Sequence, residues 1–169
     1  MRAPRTQADF QAFLNREAVR LAADTDQDTE AKIEQDLAIA AEDLEDARHA
    51  VEENHASSAL NNLEEAIMIC GECVAWSLGY KLRDEAANYH ARAIECLVLY
   101  AEAFVPGLAI YARRFQSLRA ARRAMKYDRQ PPGEGQLRQF LVAADAFYAQ
   151  FKVIPVQELA HRREHERQP

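Results

Sequence analysis

β-branched residues are few in this chain and no stretch alternates with period two, which argues against a sheet-based fold. Cysteine is scarce too. Three Cys, an odd number, do not make a disulfide framework and point to a reducing cytoplasm. Glycine and proline number only five and six, and neither a low-complexity tract nor an internal repeat is present. The longest apolar-rich run, Ala66 to Cys70 and on past Glu72 to Leu78, falls short of the ~20 residues of a membrane span. Met1-Arg-Ala-Pro-Arg leads into a mixed segment with Asp9 and Glu17; without an apolar h-region, no secretion signal is read there. What remains is 169 residues with 49% apolar and 28% charged side chains. One domain of that length buries roughly 70% of its unfolded surface, so it needs neither disulfide nor metal to build a core.

Net charge is −6, but it is unevenly spread. Fourteen acids between Asp24 and Glu65 face only Lys32 and Arg48. Between Tyr111 and Gln130 seven basic residues (Arg113, Arg114, Arg119, Arg122, Arg123, Lys126 and Arg129) face Asp128 alone. Either the two halves neutralise each other, within one fold or across a dimer, or the basic helix meets phosphates.

The periodicity predicts helices throughout. The first covers residues 9–23, with Phe10, Phe13, Leu14 and Leu21 as its stripe, and a polar break follows at Asp24-Thr-Asp-Gln-Asp. Thr29 is positioned to cap a second helix through Ile33, Leu37, Ala40, Leu44, Ala47 and Val51. Ser57 or Ser58 caps a third over 59–78, apolar nearly all round after Ala66 and therefore central, with Gly79 as its C-terminal stop. Asp84 caps a fourth reaching Phe104, a fifth runs from Pro106 to Met125, and a sixth occupies 136–151 after the Pro-Pro-Gly loop. The segment beyond Pro155 reads as a polar, frayed tail.

Candidate chemistry is sparse. Cys70-Gly-Glu-Cys73 has the spacing of a redox or zinc pair, but a βαβ context is missing and a zinc site needs two more ligands. His90 and Cys96 lie on opposite helical faces, so the thiols read as packing groups. Glu52-x-x-His55 and Glu158-x-x-His161 imitate di-iron pairs, but the second falls in the polar tail and the match reads as coincidence. Arg48 with His55, and Arg83 with His90, each have six residues between them, a spacing chance alone supplies. No cofactor or metal is expected. Helical position singles out two residues. Stepping ~100° per residue from Tyr111 puts Phe115, Leu118, Arg122 and Met125 on one stripe, so Arg122 occupies a core-facing position. An Arg there pairs with an acid, one of those between residues 24 and 65, or borders a groove. His90 shares a stripe with Ala87, Ile94, Val98 and Ala101, and reads as a partly buried, hydrogen-bonded core residue or a catalyst.

The order of these segments resembles the HEPN-domain superfamily. Asp36-Leu-Ala-Ile-Ala-Ala-Glu-Asp-Leu-Glu-Asp-Ala is similar to its first core helix. Ala59-Leu-Asn-Asn-Leu-Glu-Glu-Ala-Ile through Ala75-Trp-Ser-Leu-Gly-Tyr-Lys, then Asn88-Tyr-His-Ala-Arg-Ala-Ile-Glu-Cys-Leu, resembles its middle helices. Arg114-Phe-Gln-Ser-Leu-Arg-Ala-Ala-Arg-Arg-Ala-Met-Lys-Tyr-Asp, a Pro/Gly loop, and Leu141-Val-Ala-Ala-Asp-Ala-Phe-Tyr-Ala-Gln-Phe resemble its last two. The resemblance covers about residues 33–154. It implies an all-α, antiparallel bundle of about five core helices over 29–154, an N-terminal helical extension over 1–28 and a polar tail over 155–169.

Active HEPN ribonucleases carry an Arg, a polar residue, a few more residues and a His beside a dimer cleft. By resemblance, Arg122 matches the Arg, Arg123 the polar residue and Tyr127 the His. The implied chemistry is metal-independent RNA cleavage by attack of the 2′-hydroxyl, with Arg steadying the phosphate and His moving a proton. The Arg is kept and the His is lost. A phenol, almost wholly protonated at neutral pH, is a poor base, although it can donate a hydrogen bond or act as an acid; His90 is the other candidate.

The departure favours a cytoplasmic, homodimeric binding or regulatory module without a membrane partner, of toxin–antitoxin, defence or RNA-metabolism type. Its partner would be RNA or a cognate antitoxin or nucleotidyltransferase protein. Arg119, Arg123, Lys126 and Arg129 would contact nucleic acid. The alternatives are an active ribonuclease using Arg122 with Tyr127 or His90, and a structural adaptor whose acidic helix docks a basic partner.

Overall fold

A computed structural model of the chain describes residues 5–22, 26–84 and 88–166. The architecture is an all-α bundle with one very small sheet. Its helices, among the described residues, are α1 (Gln7–Glu17), α2 (Asp26–Glu52), α3 (Ala56–Ser77), α4 (Tyr89–Phe104), α5 (Pro106–Asp128), α6 (Glu134–Phe151) and α7 (Ile154–Glu166). Strands β1 (Ala18–Arg20) and β2 (Tyr80–Leu82) pair antiparallel with Ala18 opposite Leu82, Val19 opposite Lys81 and Arg20 opposite Tyr80.

The central helix is α3, as its composition predicts: it packs against α2, α4, α5, α6 and α7, burying Leu60, Leu63, Ile67, Cys70 and Val74 among others. Such close neighbours require a small residue. A Cβ on Gly71 would lie 2.0 Å from the Ala93 carbonyl oxygen of α4, so only glycine lets these two backbones approach. The core continues as two aromatic groups, Phe10 with Tyr100 and Phe104 at one end and Phe115 with Phe147 and Phe151 at the other.

Several boundaries differ from the periodicity, each for a local reason. The first helix stops at Glu17 rather than running to residue 23, because the chain turns extended to form β1. Glu17 is itself a junction: its carboxylate takes Arg16 and, at 2.7 Å, Arg92, and its carbonyl accepts the Arg83 N–H. A three-residue strand is too short to show a period. Thr6, with Asp9, forms the capping box of α1. Thr29 lies inside α2, buried, rather than at its start; part of the anticipated break, residues 24–25, is outside the described residues. His55, not Ser57 or Ser58, precedes α3, and α4 begins after Asn88 rather than Asp84. Gly79 does end the third helical segment, in the left-handed region at φ 81°. The segment read as a frayed tail forms α7, held by buried Pro155 and Leu159 and by an Arg163–Glu30 ion pair at 2.5 Å. Two apolar anchors and a distant acid outweigh its polar composition.

Candidate nucleic-acid interface

Helix α5 changes character along its length. Leu108, Ala112, Phe115 and Leu118 are buried at helical spacing, and the same stripe then continues into Arg122 and Met125, which are only half-buried. The last two turns therefore run past the edge of the core. Arg119, Arg122, Arg123 and Lys126 stand three and four residues apart on this overhang, a spacing that makes them neighbours and sets like charges against each other.

One buried acid relieves the repulsion. Glu64 projects from α3 toward α5 with its side chain 4% exposed. Its Oε2 is paired with the Arg122 guanidinium, and its Oε1 lies 3.5 Å from Arg119 Nε. One helical turn earlier, Asn61 Oδ1 accepts a hydrogen bond from Arg122 Nε at 2.8 Å. His90, in the first turn of α4, completes the cluster with Nδ1 3.7 Å from Glu64 Oε2 and 3.8 Å from Glu65 Oε1. Burial draws the Arg122 and Arg119 guanidiniums below their ordinary pKa, with the like charge of Arg123 adding to the effect at Arg119. Both remain cations at neutral pH.

Three concavities meet on this edge. A recess of about 260 Å³ is walled by Glu64, Asn88, His90 and the basic stripe, with Tyr127 at its lip. On one side it shares Arg119, Arg123 and Tyr127 with a groove of about 530 Å³ along α5. On the other it shares Arg122 and Lys126 with a cavity of about 360 Å³ that reaches Ser57 and Asn61 at the start of α3. Tyr127 is 69% exposed, with Lys126 Nζ 5.5 Å from its ring centroid.

The structure thus brings Arg122, His90 and Tyr127 into one recess together with Arg119, Arg123 and Lys126. Arg129 is not part of it. That residue is the left-handed C-cap of α5, φ 52°, and is exposed. Of the His90 stripe, Ile94, Val98 and Ala101 are buried, while Ala87 lies outside the described residues. Sequence reasoning looked for the acid paired with Arg122 somewhere in residues 24–65 but did not name Glu64 or Asn61. A signal was available: Glu64 shares the apolar face of Leu60 and Ile67, the same anomaly that singled out Arg122.

The other candidates separate from this edge. Cys70, Cys73 and Cys96 are free and buried, and burial pushes all three thiols far above their ordinary range, the state of packing groups rather than nucleophiles. Among the described residues no group of three His, Cys, Asp or Glu side chains is placed to hold a metal ion. His55 is exposed, Glu158 accepts the Tyr100 hydroxyl at 2.7 Å, and His161 stacks on His165. Arg48 bonds Glu45 and Asp145. No helix among the described residues is long and apolar enough to cross a membrane. The chain matches no family model, no curated protein and no solved structure.

Proposed function

We propose that this protein binds single-stranded RNA through the sugar–phosphate backbone, as a HEPN-like, homodimeric, non-catalytic module of toxin–antitoxin, defence or RNA-metabolism type. One observation carries the reading: the acidic helix does not cover the basic one. Helix α2 packs on α3, α6 and α7, and α5 packs on α4, α6 and α3; among the described residues the stripe's ion pairs are with Glu64 of α3, and Glu95 of α4 acts on Arg119 from farther out. Arg123, Lys126 and Arg129 stay exposed, without an ion pair among the described residues.

The test is a mobility shift with single-stranded RNA at about 50 and 200 mM salt. Arg119, Arg123, Lys126 and Arg129 together supply four backbone contacts, so log affinity falls with log salt at a slope of about −3. Replacing Arg123 or Lys126 by Gln removes about one contact each, with little sequence preference. No shift at either salt concentration refutes the reading and leaves the protein-adaptor alternative. Sedimentation at tens of micromolar tests the dimer, which has twice the 19.2 kDa of the chain.

A second reading, the ribonuclease, is favoured by the convergence of Arg122 and His90 on Glu64. Glu64 holds an arginine that can steady a phosphate beside an imidazole that can move a proton. Tyr127 stands at the same lip as an acid or hydrogen-bond donor. Cleavage that persists in EDTA and is abolished by both Arg122→Ala and His90→Gln would establish it over the non-catalytic module.

A further inference from the structure

We infer that the recess beneath Tyr127 receives a phosphomonoester, the terminal phosphate of an oligonucleotide or that of a free nucleotide, rather than the middle of a strand. The inference rests on the phosphate-binding reading of α5 and adds to it which phosphate the site selects. Charge is the first argument. Arg119, Arg122, Arg123 and Lys126 wall the recess against Glu64, with Glu65 beside His90 and Glu95 acting on Arg119 from farther out, so cations outnumber carboxylates around it. An internal phosphodiester carries one negative charge; a monoester carries about 1.5 to 2 at neutral pH. A wall of four cations, two of them half-buried, rewards the more highly charged group.

Size is the second argument. At about 260 Å³ the recess lies just below the ~300–1,000 Å³ of ordinary small-molecule pockets, room for a phosphate and its sugar. The base is left at the lip, where the exposed Tyr127 ring offers a stacking face. The third argument is continuity. The neighbouring groove along α5 shares Arg119, Arg123 and Tyr127 with the recess, so a strand lying in that groove can place its terminal phosphate over the cluster. Glu64 acts as a positioning residue here, holding Arg122 and Arg119 in the wall while the exposed Arg123 and Lys126 complete the shell.

The experiment compares dissociation constants of the full-length protein for one fluorescent single-stranded RNA carrying a 5′-phosphate, a 3′-phosphate or hydroxyls at both ends, with AMP and adenosine as competitors. At least one phosphorylated end is expected to bind about tenfold more tightly than the hydroxyl form, and AMP to compete where adenosine does not. AMP competing without any preference among RNA ends assigns the site to free nucleotides; an end preference without AMP competition assigns it to oligonucleotides. Arg122→Gln removes the preference. Because that variant also strips the buried Glu64 of its main partner, the exposed Arg123→Gln supplies the check, and it too is expected to reduce the preference severalfold, whereas Lys152→Gln, on a distant exposed residue, leaves it intact. Equal binding of all three RNAs with no competition by AMP overturns the inference while leaving the RNA-binding reading standing. No binding of any RNA and no competition overturns both.

Discussion

Removing either partner of the Glu64–Arg122 pair tests how this edge is built, and the two removals should not cost the same. Glu64 is 4% exposed and Arg122 27%, so the arginine retains a route to water that the carboxylate lacks. Arg122→Gln leaves a buried carboxylate with Arg119 at 3.5 Å as its remaining near cation, close to the case where breaking a buried pair costs about 3–5 kcal/mol. Partial exposure of the site places the expected cost at the lower end, about 3 kcal/mol. Glu64→Gln leaves a guanidinium that rehydrates and still donates to Asn61, at about 1–2 kcal/mol. The double variant removes both charges and should cost no more than Arg122→Gln alone, giving a coupling of about 1–2 kcal/mol. Urea unfolding reads this directly: with m near 2 kcal/mol/M, Arg122→Gln moves the midpoint by about 1.5 M. Additive single effects, or a larger loss from Glu64→Gln than from Arg122→Gln, would refute the account.

Other outcomes follow from the packing. Gly71→Ala forces a Cβ against the Ala93 carbonyl, so calorimetry should show a loss of about 3 kcal/mol, whereas alanine at Gly107, where the space is open, should be close to neutral or stabilising. The three thiols should resist a disulfide reagent in the native protein at neutral pH and react stoichiometrically in urea. Their raised pKa values also fix the sign of an alkaline effect: unfolded thiols ionise near pH 8.5 while native ones stay protonated, so stability falls as pH rises above about 8.5. Stability unchanged between pH 8 and 10 in wild type, relative to a variant with all three Cys replaced by Ala, would contradict that burial. Truncation after Val153 deletes Pro155, Leu159 and Arg163 with their buried contacts and should lower the melting temperature by several degrees; an unchanged melting temperature would return this segment to the status of a tail.

What could be read from the sequence was whatever repeats at helical period. Ile33, Leu37, Ala40, Leu44, Ala47 and Val51 all face the core of α2, and the apolar run after Ala66 marked the helix that the others surround. The same arithmetic found Arg122, because a charge inside an apolar stripe is visible without coordinates. It did not find its partner. Glu64 is one acid among fourteen; its place on the apolar face of Leu60 and Ile67 marks it, and the packing of α3 on α5 shows which arginine it meets. The β1–β2 ribbon was out of reach because its pairing joins residues some sixty positions apart through three-residue strands, with no alternation to detect. The error at the C-terminus has a different origin: composition described α7 as polar, while Pro155 and Leu159 are buried, Arg163 pairs with Glu30 and Glu158 accepts the Tyr100 hydroxyl.

The charge map bears on how an acidic protein could take the polyanion partner proposed for it. Glu34, Glu42, Glu45 and Asp46 are exposed on the outer face of α2, while burial and the neighbouring Glu65, Asp46 and Glu42 push the Asp43 carboxyl above its ordinary range. Helices α2 and α5 each pack on α3, without extensive contact with each other. A helix with its side chains is about 10–12 Å across, so the outer acids of α2 stand more than one Debye length, about 8 Å at physiological salt, from the basic stripe. Their repulsion of a phosphate at α5 is largely screened, whereas Arg119, Arg123 and Lys126 act on it at contact distance. Glu64 offsets the stripe locally, with Glu95 acting on Arg119, and Glu64 does so by fixing two guanidiniums in place. A net charge of −6 is therefore no bar to binding a polyanion. On the proposed reading it would confine that binding to one edge of the bundle, because an approach across the outer acids of α2 is repelled.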